Sequence, residues 1–401
     1  MTVRVSKPEF NLREKLTELD KPTGTKGLDL MRSETTQEAR NSVSVGRKNL
    51  IINGDFRVAQ RATSSTSDNY QTVDRFSSSQ GSTNEAPTRA QVDVASGTTP
   101  YTLGFRKAFK ITNGNQTSGP QIGSEINVLQ NIEAQDIVQS GWDYTSDSSF
   151  ITWSFWIKSS VATNFYGYIR SYDNTAIGYA FETGNLSANV WTKIIKKIPG
   201  NPNININNDN GTGLQFRLLA YIGTAYSDNA TPLHKWTTYS STTRVPEPPT
   251  TWYNTNDATL EMTGWQVEVG SNATEFEHRS LGEELALCQR YFFNVKGDNN
   301  HRSGIPGYAN STTELRACVQ FPVPMRVSPT VSGTATAMVF DAQDDSASFN
   351  CSTLSAGGSL TNTSPHMMVI ETTTSGMTNG QAGTLEFRAA NGSINFDAEL
   401  A

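Results

Sequence analysis

Residues 261–293 constrain the fold of this chain more than any other stretch. Residues 261–269 alternate as a strand, with Met262, Gly264, Gln266 and Glu268 on one side and Thr263, Trp265, Val267 and Val269 on the other. Gly270-Ser271-Asn272 breaks the pattern. Ser280 then precedes Glu283 at the capping-box spacing that opens a helix. Leu281, Leu285, Cys288 and Phe292 follow at helical spacing, which gives that helix an apolar face. A strand that closes one β-domain therefore feeds a short helix, and the helix feeds a second domain.

The rest of the chain fits that division. Its 401 residues have room for two or three domains. Hydrophobic residues make up only 36%, below the usual ~45–50%, yet 7 Trp, 13 Tyr and 18 Phe argue against disorder. The predicted class is mainly β. Residues 1–48 are expected to form an arm of short helices, with Leu12, Leu16 and Leu19 on one face and too few apolar residues for a core. Residues 49–279 read as a large antiparallel β-sandwich, opening with a strand at residues 49–52, with further strand signal at 101–103, 105–111, 151–158, 165–171, 191–198 and 214–222. Residues 280–293 are the linking helix, and residues 294–401 a smaller β-sandwich. The Asn-rich residues 199–213 read as a surface loop.

Neither a transmembrane run nor a secretory leader is visible, so the chain is expected to be made and held first in a cytoplasm. A net charge of −6 gives no general affinity for nucleic acid. Residues 1–48 carry ten Lys/Arg and seven Asp/Glu, a slightly basic arm on an acidic body, and so are expected to have a partner of their own.

Cys288, Cys318 and Cys351 match no zinc or disulfide spacing and are expected to be buried small hydrophobes. His234, His278, His301 and His366 form no metal-hydrolase motif, and His278 is expected to satisfy loop backbone. Asp143, Glu182, Glu261 and Glu268 are the carboxylates a glycan hydrolase would draw on, though any acidic β-protein offers as many. No cofactor is called for. Asp55, in the turn Asn53-Gly54-Asp55, is a candidate oxygen ligand for a structural calcium, with a plain turn as the alternative.

The stronger signal is aromatic. On a half-buried sheet the outward face should be polar. Trp156, Tyr166, Tyr168 and Tyr221 break that rule, and strand parity puts Arg170 and Arg217 beside them. Aromatic rings stack on the apolar faces of sugars while Arg takes hydroxyls, so these six are the candidate glycan-binding residues. The alternative is that a second sheet or a neighbouring subunit covers the face.

Two ends of the large domain carry a resemblance. Residues 49–61, NLIINGDFRVAQR, followed by residues 70–76, YQTVDRF, resemble the opening of a jelly-roll module of bacteriophage tail-fibre and other virion proteins. Residues 266–270 (QVEVG), 273–279 (ATEFEHR) and 284–291 (ELALCQRY) resemble its closing strand and helix. Residues 321–326, FPVPMR, with Ser328-Pro329-Thr330, are similar to the small β-domain that follows. The arm is similar to N-termini of marine phage structural proteins. Ala62 stands where the family often has Gly, and no shaft repeat is present.

The resemblance implies a jelly roll related in fold to carbohydrate-binding modules, attachment to the virion by the N-terminus, and a homotrimer. It fixes no catalytic residue. The expected function is a virion tail fibre or receptor-binding fibre on the particle surface, assembled in the host cytoplasm. Leu12, Leu16 and Leu19 would dock it to other virion proteins, a tail adaptor, tail or capsid. Its β-domains would meet a host glycan or lipopolysaccharide, with no nucleic-acid or membrane partner. The rival readings are a capsid-decorating protein, head fibre or tail collar component, and a glycan depolymerase.

Overall fold

The computed structural model describes residues 48–297, 304–342, 348–357, 364–388 and 392–400. The arm with Leu12, Leu16 and Leu19, and likewise His301, lie outside the described residues. The protein is mainly β, built from antiparallel sheets packed as two sandwiches.

The first sandwich uses β1 (Ser64–Ser65), β2 (Ser77–Gly81), β3 (Thr88–Asp93), β4 (Lys107–Thr112), β5 (Glu125–Glu133), β6 (Phe150–Ser159), β7 (Asn164–Ser171), β8 (Ile177–Asn185), β9 (Thr192–Pro199), β10 (Thr212–Ile222), β11 (Trp236–Thr238) and β12 (Thr259–Val269). One sheet runs β1-β3-β4-β12-β6-β9 and the other β11-β8-β7-β10-β5-β2. Short helices α1 (Thr99–Thr102), α2 (Ala134–Val138) and α3 (Thr251–Asn254) punctuate it. The strong alternation of β6 works as expected: Ile151, Trp153, Phe155 and Ile157 all enter the core. Trp153 is its centre, with the rings of Phe181, Phe216 and Trp265 at 4.9–5.1 Å, each tilted edge to face.

Parity fails at β12. A bulge at Gly264, whose φ is +68°, shifts the register against β6 between Thr263 and Gln266. Met262 and Trp265, assigned to opposite sides by alternation, both reach the core. Residues 49–52 form no strand. The Asn49 side chain replaces a ladder there, its Oδ1 accepting from Ile51 N and Val267 N at 3.0 Å and its Nδ2 donating to Trp265 O at 3.0 Å. Residues 101–103 are not strand either, because Pro100 opens the single turn of α1.

Helix α4 (Leu281–Gln289) follows, with both bonds of the capping box present between Ser280 and Glu283. Its buried contacts come from Cys288, Leu285 and Leu287, whereas Leu281 is exposed. The second sandwich packs β13 (Phe292–Lys296), β16 (Thr330–Gly333) and β22 (Ser393–Asp397) against a larger sheet. That sheet holds β14 (Ile305–Ala309), β15 (Glu314–Gln320), β17 (Met338–Ala342), β18 (Ser348–Asn350), β19 (Ser355–Ala356), β20 (Met367–Thr373) and β21 (Ala382–Phe387). Phe293, Phe321 and Phe396 stack in its core at 5.0–6.1 Å. Cys288 and Cys351 are buried as expected, but Cys318 points outward from β15.

Several of the residues that carry the resemblance meet in a buried polar joint between the sandwiches. Arg75 pairs with Glu399, donates to Asn131 O at 2.7 Å and lies 3.4 Å over the Tyr291 ring. Arg61 pairs with Asp397 at 2.9 Å and stacks on Phe292 at 3.6 Å. Gln60 donates to Asp74 and to Phe292 O. Arg290 grips Glu133 through two bonds of 2.8 Å, and Tyr291 donates to the same carboxylate. Arg279 binds Asn49 O at 2.6 Å and Glu284 at 3.3 Å, while Glu284 accepts from Asn53 N. Arg326 reaches Ala398 O, Glu399 O and Asn210 O at 2.7–2.9 Å. Burial pushes the Glu133 carboxyl up, but the bonds from Arg290 and Tyr291 outweigh it and hold the group below its ordinary range.

Candidate glycan-binding surfaces

The six candidate residues do not share one surface. Trp156 lies on the outer face of the β1-β3-β4-β12-β6-β9 sheet. Tyr166, Tyr168, Arg170 and Arg217 lie on the outer face of the other sheet, across the sandwich. Tyr221 faces the core, its ring 4.5 Å from that of Tyr253. A bulge between Leu219 and Tyr221 accounts for this, since one extra residue turns every later side chain to the opposite face.

The second sheet's outer face is covered by the chain itself. Tyr226, Leu233, Tyr239 and Val245, from residues 223–246, pack over Tyr168, Ala180, Leu219 and Ile222. Tyr168 is left 2% exposed, and burial pushes its phenol well above the ordinary range. A sugar cannot stack on it. Arg217 donates to Glu125 Oε1 at 3.0 Å, and Arg244 holds Oε2 of the same carboxylate at 3.0 Å. Tyr166 and Arg170 stay half-buried at the margin.

The first sheet's outer face is more open. Trp156, Phe105, Phe276 and His278 wall a pocket of about 200 Å³, with Ser154, Lys193, Thr274 and Glu275 supplying polar groups. Gly264 gives it depth: a Cβ there would lie 2.7 Å from the Phe105 ring. The wall is fixed by ring contacts of Phe105 with Phe276 at 4.9 Å and with His278 at 5.2 Å. His278 Nε2 also lies 2.9 Å from Leu103 O, so this histidine does serve loop backbone. The volume is several times the ~30 Å³ of a water and below the ~300–1,000 Å³ of drug-sized pockets, which suits one sugar ring rather than a chain of them. Trp156 was legible in the sequence. Phe276 and Lys193 were not, because only the fold brings them beside it.

A wider polar cleft of about 510 Å³ lies where Asn201, Asn203 and Asn205 face Trp236 and Thr238. The Trp236 indole N–H is already donated to Pro199 O at 2.7 Å.

The carboxylates considered for hydrolysis have structural partners. Glu261 pairs with Lys158 at 2.9 Å. Glu268 accepts from Gln266 and Thr274. Glu182, on the other sheet, accepts from Asn164, and Asp143 accepts from Thr145. Glu261 and Glu268 are seven residues apart on one strand, roughly 23 Å at a strand's rise, beyond the ~5–9.5 Å of a hydrolase pair. Asp55, the calcium candidate, lies 2.9 Å from Arg57. Among the described residues, no group of three or more His, Cys, Asp or Glu is arranged to hold a metal ion.

No protein-family model and no curated protein matches the chain. Among solved structures it is similar to the enzymatically active domain of tailspike protein 4 of bacteriophage CBA120, with 12% identity and a TM-score of 0.28 over 55% of this chain and 21% of that one. It is also similar to a structure described as "CBM4 structure and function", with 14% identity and a TM-score of 0.28 over 54% of this chain and 98% of that one. A third is the N-terminal cellulose-binding domain of the Cellulomonas fimi β-1,4-glucanase C, with 8% identity and a TM-score of 0.25 over 54% and 99%. At these values the β-sandwich stands on its own hydrogen-bonded ladders, and no role is carried over from these proteins.

Proposed function

We propose that this chain is a non-catalytic glycan-binding protein of a bacteriophage virion, a tail fibre or receptor-binding fibre. The observation that carries glycan binding is the pocket around Trp156, which joins an indole face to Ser154, Lys193 and Glu275 in a volume fit for one sugar ring. Such a site binds weakly, and several copies on one particle, as in a trimer, would raise adhesion through effective concentration.

The virion reading is supported by the opening and closing motifs. Of the residues they contain, Gln60, Arg61, Tyr70 and Arg75 reach across to Phe292, Asp397, Leu400 and Glu399 of the second sandwich. A buried, bonded joint suits a part that must present a binding face rigidly. In this reading residues 1–48, through Leu12, Leu16 and Leu19, dock the protein to its particle.

The test is a glycan array with the full chain, followed by Trp156→Ala. Binding to a neutral sugar that falls at least tenfold in the variant, with the fold intact by circular dichroism, is the expected result. An unchanged array, or no sugar bound by the wild type, would sink the reading. A density map of the assembled particle decides attachment. Residues 1–48 against capsid protein would rule out a tail fibre in favour of a head fibre or decorating protein.

A further inference from the structure

We infer that Arg170 is the receptor for the carboxylate of an acidic sugar, at a second site on the sheet opposite Trp156. This deepens the glycan-binding reading and rests on it, but it uses none of the same residues.

Arg170 is on β7, paired with Gly178 on β8 and with Gln215 on β10. The absence of a side chain at Gly178 makes room for Tyr239, whose Cδ2 lies 3.3 Å from where a Cβ would stand. Tyr239 thus reaches one side of the guanidinium, 4.0 Å from ring centroid to Cζ, and Tyr172 lies 4.3 Å away. Two rings hold the group in place without neutralising its charge.

Every other described arginine has a hydrogen bond or ion pair to a carboxylate or carbonyl. Among the described residues, Arg170 has neither, and its Nε is buried without a partner. Across the strand pair the Gln215 Oε1 is buried and equally unpartnered, while its Nε2 donates to Asn131 Oδ1 at 3.0 Å and to Tyr172 Oη at 2.9 Å. Both of these atoms are closed to solvent, so a ligand can meet only the exposed part of the half-buried Arg170 side chain, a guanidinium clamped by two rings and left without an anion among the described residues.

A sugar acid supplies that anion: its planar carboxylate accepts from the arginine fork. A neutral sugar leaves the guanidinium unmatched, and a phosphate, which is tetrahedral, matches its charge without its plane. The nearest acidic residue in sequence, Asp173, is occupied by Asn207 at 2.7 and 2.9 Å and does not compete.

The experiment titrates the full chain with glucuronate, glucose and glucose 6-phosphate, and compares wild type, Arg170→Gln, Arg170→Lys and Trp156→Ala. Wild type and Trp156→Ala are expected to bind glucuronate alike. Arg170→Gln should lose at least tenfold, and Arg170→Lys, which keeps the charge without the fork, should also weaken. Unaltered glucuronate binding in Arg170→Gln overturns the inference, as does tighter binding of the phosphate. If Trp156→Ala alone abolishes all sugar binding, the first pocket stands and this one falls. If Arg170→Gln alone loses glucuronate and no neutral sugar binds anywhere, the reverse holds.

Discussion

At the joint the guanidinium of Arg75 lies over the ring of Tyr291 and is closed by the carboxylate of Glu399. On β7 the guanidinium of Arg170 lies against Tyr172 and Tyr239, with no carboxylate of the described residues bonded to it. The two are linked through Asn131: its carbonyl accepts from Arg75, and its side-chain oxygen accepts from Gln215, the cross-strand neighbour of Arg170. An arginine stacked on tyrosine recurs in this protein, and these two examples share a neighbour in Asn131. In the joint the protein provides the anion, and the arrangement becomes structure. At Arg170 the anion must come from outside, and the same arrangement becomes a receptor. Glu399 is therefore an internal precedent for the ligand proposed above.

The comparison breaks most forcefully at the joint. Glu399→Gln leaves Arg75 buried without its counter-charge and should cost about 3–5 kcal/mol in chemical denaturation. If stability is unchanged, the joint is a loose contact and the precedent is lost. Tyr168→Ala removes a buried ring beneath residues 223–246 and should cost about 3 kcal/mol. It should also weaken glucuronate binding, because Tyr239 rests 6.0 Å from Tyr168. A stable variant that binds normally would show that the covering does not hold the receptor in place.

Asp74 gives a smaller, pH-dependent effect. Burial raises its carboxyl from 3.8 to about 6, against the opposing bonds from Gln60. The folded joint therefore keeps this proton to higher pH than the unfolded chain does. Its contribution is full below about pH 4 and is lost as pH rises through 6. Relative to Asp74→Asn, the wild type should lose about 1 kcal/mol between pH 5 and pH 7. Parallel melting curves across that range would contradict it. Smallest of all, Arg170→Gln removes only ring stacking and should change stability by less than about 1 kcal/mol. A larger loss would make Arg170 a structural clamp like Arg75.

What could be read beforehand follows the physics of each signal. The strand β6 and the cap of α4 were legible because alternation and the Ser280–Glu283 pair are local. The parity of β10 and β12 held only up to a bulge, and a single extra residue moved Tyr221 to the core face and put Trp265 on the same face as Met262. Residues 49–52 looked like a strand because their apolar run is real, yet Asn49 binds the backbone that a partner strand would have bound. Arg170 was visible by parity, and Tyr172, two residues on, shares that parity and carried the same signal. Tyr239 had none, since it arrives from the covering segment, directly after the three-residue strand β11. The roles of Arg61, Arg75, Arg279 and Arg290 were not legible, because each has a partner 157–338 residues away.

That separation has a consequence in time. Arg75 and Glu399 are 324 positions apart. At a synthesis rate of roughly 5–20 residues per second, about 15–65 s pass between making the first and the second. Throughout that interval the first sandwich carries a socket for a carboxylate that has not yet been made. The joint can close only after residues 397–400 leave the ribosome, so a chain cut short before them would keep an open, charged seam that chaperones and proteases can recognise.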